Sequence, residues 1–196
     1  AMILSDGVIG QMMEKVYLDE FKPRWTKEEI LKLHGDWACT GKTANRERHI
    51  ATSLELESAR QEVFNHKLQA KYAEIREKEV RCEEIMCEDA DYIIVAYGSS
   101  ARISSKAVEL CRAEGIKVGL LRPITLFPYP TKEIQAHLSH VKGFLSVEMS
   151  AGQMVEDVKL AVNGQVPVYH FGRYGGMIPS PNEVVDAIKT NFLGGK

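Results

Sequence analysis

The period of the apolar positions changes near residue 90, and the change divides the chain. Before it, Phe64, Leu68, Tyr72, Ile75, Cys82 and Met86 recur at spacings of three, four or seven. Lys, Glu, Arg and Gln fill the gaps, which describes one narrow apolar seam on a long helix. Thr52-Ser53-Leu54-Glu55 reads as a capping box opening that helix, with Thr52 as N-cap and Glu55 at N3. A seam this narrow fits packing on one surface, either as a helix lying across its own protein or as a linker or dimer helix. An alternative ending has residues 80–87 as a short edge strand ahead of Asp89-Ala90-Asp91.

After residue 90 the apolar positions form continuous short runs. Residues 92–97 read as a central strand covered on both faces. Gly98-Ser99-Ser100 turns the chain into a helix with Ala107, Val108, Leu110 and Cys111 inward, stopped by Gly115. Residues 116–121 form the next strand. Pro128 and Pro130 lead into a helix to about residue 139, with Pro130 near its first position. Residues 143–149 form a third strand, followed by a helix over 152–162 that Asn163-Gly164 closes. Residues 166–171 form a fourth strand. Ser180-Pro181-Asn182-Glu183 is a second capping box, opening a terminal helix to about residue 192. This alternation predicts a three-layer α/β/α domain with a mainly parallel sheet and right-handed crossovers. Functional groups in such a sheet gather past the carboxyl ends of its strands.

The amino-terminal part is less regular. Residues 1–7 read like the end of a buried strand and its turn, which cannot stand without a sheet. The expectation is therefore a piece cut from a longer polypeptide. A short helix is expected over 11–16 with Met12 and Met13 inward. Residues 19–48 read as irregular, with Trp25 and Trp37 anchoring them on a neighbouring surface. The expected division is 1–50, a long linker helix over 52–80, and an α/β domain over 81–196.

Composition narrows the function classes. The 196 residues are 44% apolar and 27% charged, ordinary for a soluble globular protein. A net charge of −2 gives no general attraction to nucleic acid or anionic membrane. No apolar run approaches the roughly 20 residues of a membrane span, and no secretory signal opens the sequence, so a cytoplasmic location is expected. Cys39, Cys82, Cys87 and Cys111 match no CxxC pair and read as reduced thiols. The six histidines form no HExxH motif or zinc spacing, so no metal site is expected. His137 and His140, three apart on one helix, read as solvent-facing.

Four places carry candidate chemistry. Gly98-Ser99-Ser100, between a strand and a helix N-terminus, either cradles a phosphate or carboxylate, or is a tight turn with a serine cap. It is neither GxGxxG nor a Walker sequence. Arg122 ends a strand and, with Arg102, would add positive charge at that edge or face a partner. Glu148 also ends a strand. It is either a general base or an acceptor for the loop amides around Gly152, or an arginine partner. Arg173 and Tyr174, in the Gly-rich loop after the last strand, have the residue types of an interface anchor.

The wording DGVIGQMMEKV, VAYGSSARISSKAVELCRAEGIKVGLLRPITLFPYP, SVEMSAGQM and FGRYGGMIPSPNEV resembles the 2-oxoacid:ferredoxin oxidoreductases. The likeness is to the carboxyl-terminal part of the subunit with the pyrimidine-type domain, in the 2-oxoisovalerate or 2-oxoglutarate branch. Ser150 departs from the Asn that often follows EM there. The resemblance implies that residues 1–50 hold the tail of the pyrimidine-type domain, and that the domain from about Asp89 is like the transketolase carboxyl-terminal domain. Residues 80–87 would then be an antiparallel strand of a five-stranded mixed sheet. It also implies a whole enzyme with thiamine diphosphate, magnesium, iron–sulfur clusters and coenzyme A, oxidatively decarboxylating a 2-oxoacid. The implied partners are the remaining domains of the same subunit, a thiamine diphosphate-binding subunit and a ferredoxin-like subunit, with a homodimer also open. This stretch carries no GDG…N motif and no cysteine cluster, so its implied role is non-catalytic: packing and assembly, with Gly98-Ser99-Ser100 as the candidate contact near the coenzyme A path. A stand-alone phosphate-binding module and a purely structural assembly domain are the alternatives.

Overall fold

A computed structural model describes all residues except 1, 3–6, 19, 38–40, 42–46, 48, 51 and 195–196. Cys39 and most of the strand end expected over 1–7 lie outside the described residues. The chain divides into two compact units, residues 1–11 with 68–196, and residues 12–67.

In the smaller unit, helix α2 (Lys27–His34) stands where irregular chain was expected. Thr26 Oγ1 accepts the Glu29 amide at 3.2 Å, and the Glu29 carboxylate accepts the Thr26 amide at 2.7 Å. This reciprocal box satisfies two helix-end donors. Trp25 and Trp37 stay largely exposed and meet local partners instead of a buried surface. The Arg24 guanidinium lies over Trp25, and the Trp37 ring meets His49 at 4.6 Å between centroids, tilted by 36°.

Helix α3 (Ser58–Lys78) starts six residues after its expected cap. Thr52 Oγ1 accepts from the Leu54 amide and Glu55 Oε1 from the Glu57 amide. Both side chains thus close local turns two residues on, which competes with capping. The seam also ends early: Leu68, Tyr72 and Ile75 are half-buried on α3, while Cys82 belongs to a strand.

In the larger unit, helix α1 (Gly7–Gln11) ends where a helix was expected to begin, and Met13 is fully exposed. Gly10 offers no capping side chain for a helix over 11–16. The rest is a five-stranded sheet in the order β1-β3-β2-β4-β5. Its strands are β1 (Cys82–Ile85), β2 (Tyr92–Val95), β3 (Val118–Pro123), β4 (Gly143–Glu148) and β5 (Val168–Gly172). Strand β1 pairs antiparallel with β3, and the other pairs are parallel. The expected mixed sheet, with an antiparallel strand from residues 80–87, is present.

Period-two alternation sends neighbouring residues of one strand to opposite cores. Ile94, Leu120 and Leu145 pack with α4 (Gly98–Ala113) and α7 (Pro181–Phe192). Ile93, Val95, Leu121 and Phe144 pack with α5 (Thr131–Ala136) and α6 (Met154–Val162). Two packed faces on one sheet make the three layers and account for strands that are apolar throughout. Gly115 (φ +81°) and Asn163 (φ +49°) terminate α4 and α6 in left-handed conformations, as their sequence positions predict.

Candidate functional site at the carboxyl edge of the sheet

The parallel strands place Tyr97, Glu148 and Arg173 at one edge. Glu148 ends β4 with 4% of its surface exposed. Its Oε1 accepts from Ser146 Oγ and the Val155 amide, both at 2.9 Å. Its Oε2 accepts from the Gln153 and Met154 amides at 2.9 Å and from Ser150 Oγ at 3.0 Å. The Gly152 amide turns to Ser150 Oγ at 3.2 Å. Burial pushes the Glu148 carboxyl up, but the amides at the start of α6 and Ser146 hold it below its ordinary range. A carboxylate with five donors, sitting on a helix N-terminus, is a cap and not a free base. Of the sequence readings of Glu148, the amide acceptor is the one realised.

His170, which sequence reasoning did not place here, brings Nε2 to 3.9 Å from Glu148 Oε1. That nitrogen is buried without a hydrogen-bond partner. Gly172 and Gly152 make the space: a Cβ on Gly172 would lie 2.2 Å from Ser150 O. Tyr129 has a buried hydroxyl without a hydrogen-bond partner. Burial, then the charges of Asp157 and Glu148, push its phenol up.

Gly98, Ser99 and Ser100 are themselves the first turn of α4. Gly98 has φ +56°, and Ser99 and Ser100 are buried. The N-cap position falls on Tyr97, whose side chain makes no cap bond. Ile9 of α1 sits 4.0 Å from where a Gly98 Cβ would be, so α1 lies against this turn.

The arginines do not converge on Glu148. Arg122 faces Glu83 across the β1–β3 register and pairs with it at 2.8 Å, because the antiparallel strand supplies a nearer carboxylate. Arg173 pairs with Glu183, whose other oxygen closes the capping box with Ser180. Tyr174 beside it is exposed.

A second group lies at the β1 edge. His137, expected in solvent, is 7% exposed, with Nε2 at 3.1 Å from Glu84 Oε2. It is the C-cap of α5, and its partner Glu84 lies on the edge strand β1. Cys87 joins the pair, with all three ligand atoms within 4.8 Å of one another. No spacing within the sequence reveals a group assembled from residues 53 apart.

Comparison with known proteins fits this architecture. Residues 90–184 match the family described as pyruvate:ferredoxin oxidoreductase core domain II. Ketoisovalerate oxidoreductase subunit VorB of Methanothermobacter thermautotrophicus is 43% identical over 192 residues, 96% of this chain and 51% of that protein. The 2-oxoglutarate synthase subunit KorA of Methanothermobacter marburgensis is 27% identical over 209 residues, 95% of this chain and 55% of that one. The fold is also that of a chain in the 2-oxoglutarate:ferredoxin oxidoreductase from Magnetococcus marinus, solved with 2-oxoglutarate, coenzyme A and succinyl-CoA bound. The TM-score is 0.60 at 21% identity, covering 75% of this chain and 27% of that one. Residues 90–184 of the larger unit therefore correspond to core domain II of the pyruvate:ferredoxin oxidoreductase type. The chain belongs to the 2-oxoacid:ferredoxin oxidoreductase family. It spans about half the length of the curated relatives it matches. Among the described residues, no helix is long and apolar enough to cross a membrane.

Proposed function

We propose that this chain is the carboxyl-terminal part of an alpha-type subunit in a cytoplasmic 2-oxoacid:ferredoxin oxidoreductase, of the 2-oxoisovalerate or 2-oxoglutarate branch. In that reading the whole enzyme oxidatively decarboxylates a 2-oxoacid to an acyl-CoA, using thiamine diphosphate, magnesium and iron–sulfur clusters. The chain's own work is packing and assembly against the rest of its subunit, a thiamine diphosphate-binding subunit and a ferredoxin-like subunit. The observation that carries this is Glu148. The one carboxylate at the strand ends that sequence offers as a base is saturated by five donors from its own fold. The 43% identity with VorB over 96% of the chain supports the family context.

Gly98-Ser99-Ser100 is the proposed contact for a phosphate of coenzyme A. Tyr97 at the N-cap of this 16-residue helix makes no side-chain cap bond, and the helix dipole favours an anion.

Co-expression with the neighbouring subunits tests the reading. The chain alone should show no 2-oxoacid- and coenzyme A-dependent viologen reduction, and it should co-purify with the thiamine diphosphate-binding subunit. Turnover by the chain alone, or no association, would overturn it.

A further inference from the structure

We propose that Glu84, Cys87 and His137 form a binding site for a borderline-soft divalent cation of the zinc class. The carboxylate, thiol and imidazole ligand atoms lie within 4.8 Å of one another. Tetrahedral zinc holds its ligands about 3.3–3.8 Å apart, so the donors need to close by roughly an ångström. Glu84 and His137 already meet at 3.1 Å. A mixed S, N, O set suits Zn²⁺ and disfavours Ca²⁺ or Mg²⁺, which take oxygen cages.

Three features build the place. Met86 takes φ +54°, a left-handed backbone rare outside glycine, which turns Cys87 back beneath the edge strand. Arg112 donates to Met86 O at 2.8 Å and holds that turn. Its charge is already matched by Asp89 at 2.7 Å, so it opposes a cation only weakly. His140 Nε2 lies 3.2 Å from Cys87 O, fixing the same turn from the segment that follows α5. A surface cavity of ≈450 Å³ opens onto Glu84 and Cys87, giving an entry path and room for a water as fourth ligand. Without a metal the thiol donates to Ile85 O at 3.6 Å, and on binding it would lose that proton. The ion would join the antiparallel strand β1 to the end of α5, so its role is a staple on the sheet edge.

The test is titration of the metal-stripped full chain with Co²⁺, and with Zn²⁺ in a thermal melt. One equivalent of Co²⁺ should give tetrahedral visible bands with a sulfur-to-cobalt charge-transfer band, and Zn²⁺ should raise the Tm. Cys87→Ser should lose the charge-transfer band, and Cys82→Ser should keep it. Glu84→Gln, at an exposed position where folding is safe, should bind more than about 10-fold weaker. Octahedral Co²⁺ without a sulfur band, or unchanged affinity in both Glu84→Gln and His137→Gln, would overturn the site.

Discussion

The Glu148 carboxylate at the end of β4 accepts the backbone amide of Met154, six residues on, at 2.9 Å. With the Gln153 and Val155 amides this binds the start of α6 to the sheet. Glu148→Gln puts an amide NH₂ where backbone donors point, leaving at least one buried donor unmatched. The expected loss is about 2–4 kcal/mol, read from urea unfolding at neutral pH. A change below 0.5 kcal/mol would mean the carboxylate is not what holds this helix start.

The same residue sets a pH dependence. Its folded-state pKa lies below the ordinary 4.5, so below that pH the unfolded chain binds more protons. The stabilisation is present above about pH 4.5 and is lost as pH falls through the folded value. Asp89, hydrogen-bonded to Arg112, and Glu183, bonded to Ser180, shift the same way and add to the acid loss. Chemical unfolding at pH 7 and pH 3.5 should show a smaller acid loss in Glu148→Gln than in the parent. Equal losses would assign the dependence to the other carboxylates.

Gly119 lies where β3 passes the turn after β1. A Cβ there would meet Met86 O at 2.7 Å and the Cys87 Cα at 2.9 Å. Both obstacles involve backbone, so the turn must move. Gly119→Ala should cost about 1–3 kcal/mol. It should also make the buried Cys87 thiol react faster with a thiol reagent, while Cys111 on α4 keeps its parent rate. Unchanged Cys87 kinetics would show that the turn absorbs the methyl without opening.

How far the sequence revealed these features depended on what lay close along the chain. The strand runs at 92–97 and 143–149, the glycine stop at Gly115 and the box at Ser180-Glu183 are local signals, and the fold uses them as read. Capping motifs were legible only as possibilities. Thr52 and Thr26 carry the same pattern, yet Thr52 closes a turn while Thr26 caps a helix. At the sheet edge, Glu148 could be placed but not its five donors. The partner of Arg122 depended on the β1–β3 register, which only pairing reveals. Glu84, Cys87 and His137 meet because an antiparallel edge strand lies beside α5.

Arg112 joins three segments through one guanidinium. Its Nε donates to Val118 O at 2.8 Å, and its terminal nitrogens reach Met86 O and both Asp89 oxygens. Lysine is a point charge and cannot reproduce that planar fork. Arg112→Lys should therefore lose about 1–3 kcal/mol in urea unfolding, nearly as much as Arg112→Ala. A lysine variant with parent stability would reduce the interaction to charge alone.

Tyr174 separates assembly from stability. It is exposed in the loop after β5, while neighbouring Arg173 is engaged with Glu183. Tyr174→Ala removes no buried contact of this chain, so its unfolding free energy should stay within about 0.5 kcal/mol of the parent. If the loop anchors a partner subunit, the same variant should co-purify less of the thiamine diphosphate-binding subunit, since an aromatic anchor commonly carries 2 kcal/mol or more, about 30-fold in affinity. Arg173→Ala should instead lower the chain's own stability through Glu183 and the cap of α7, making it the contrasting control. Full retention of the partner by Tyr174→Ala would remove this loop from the interface.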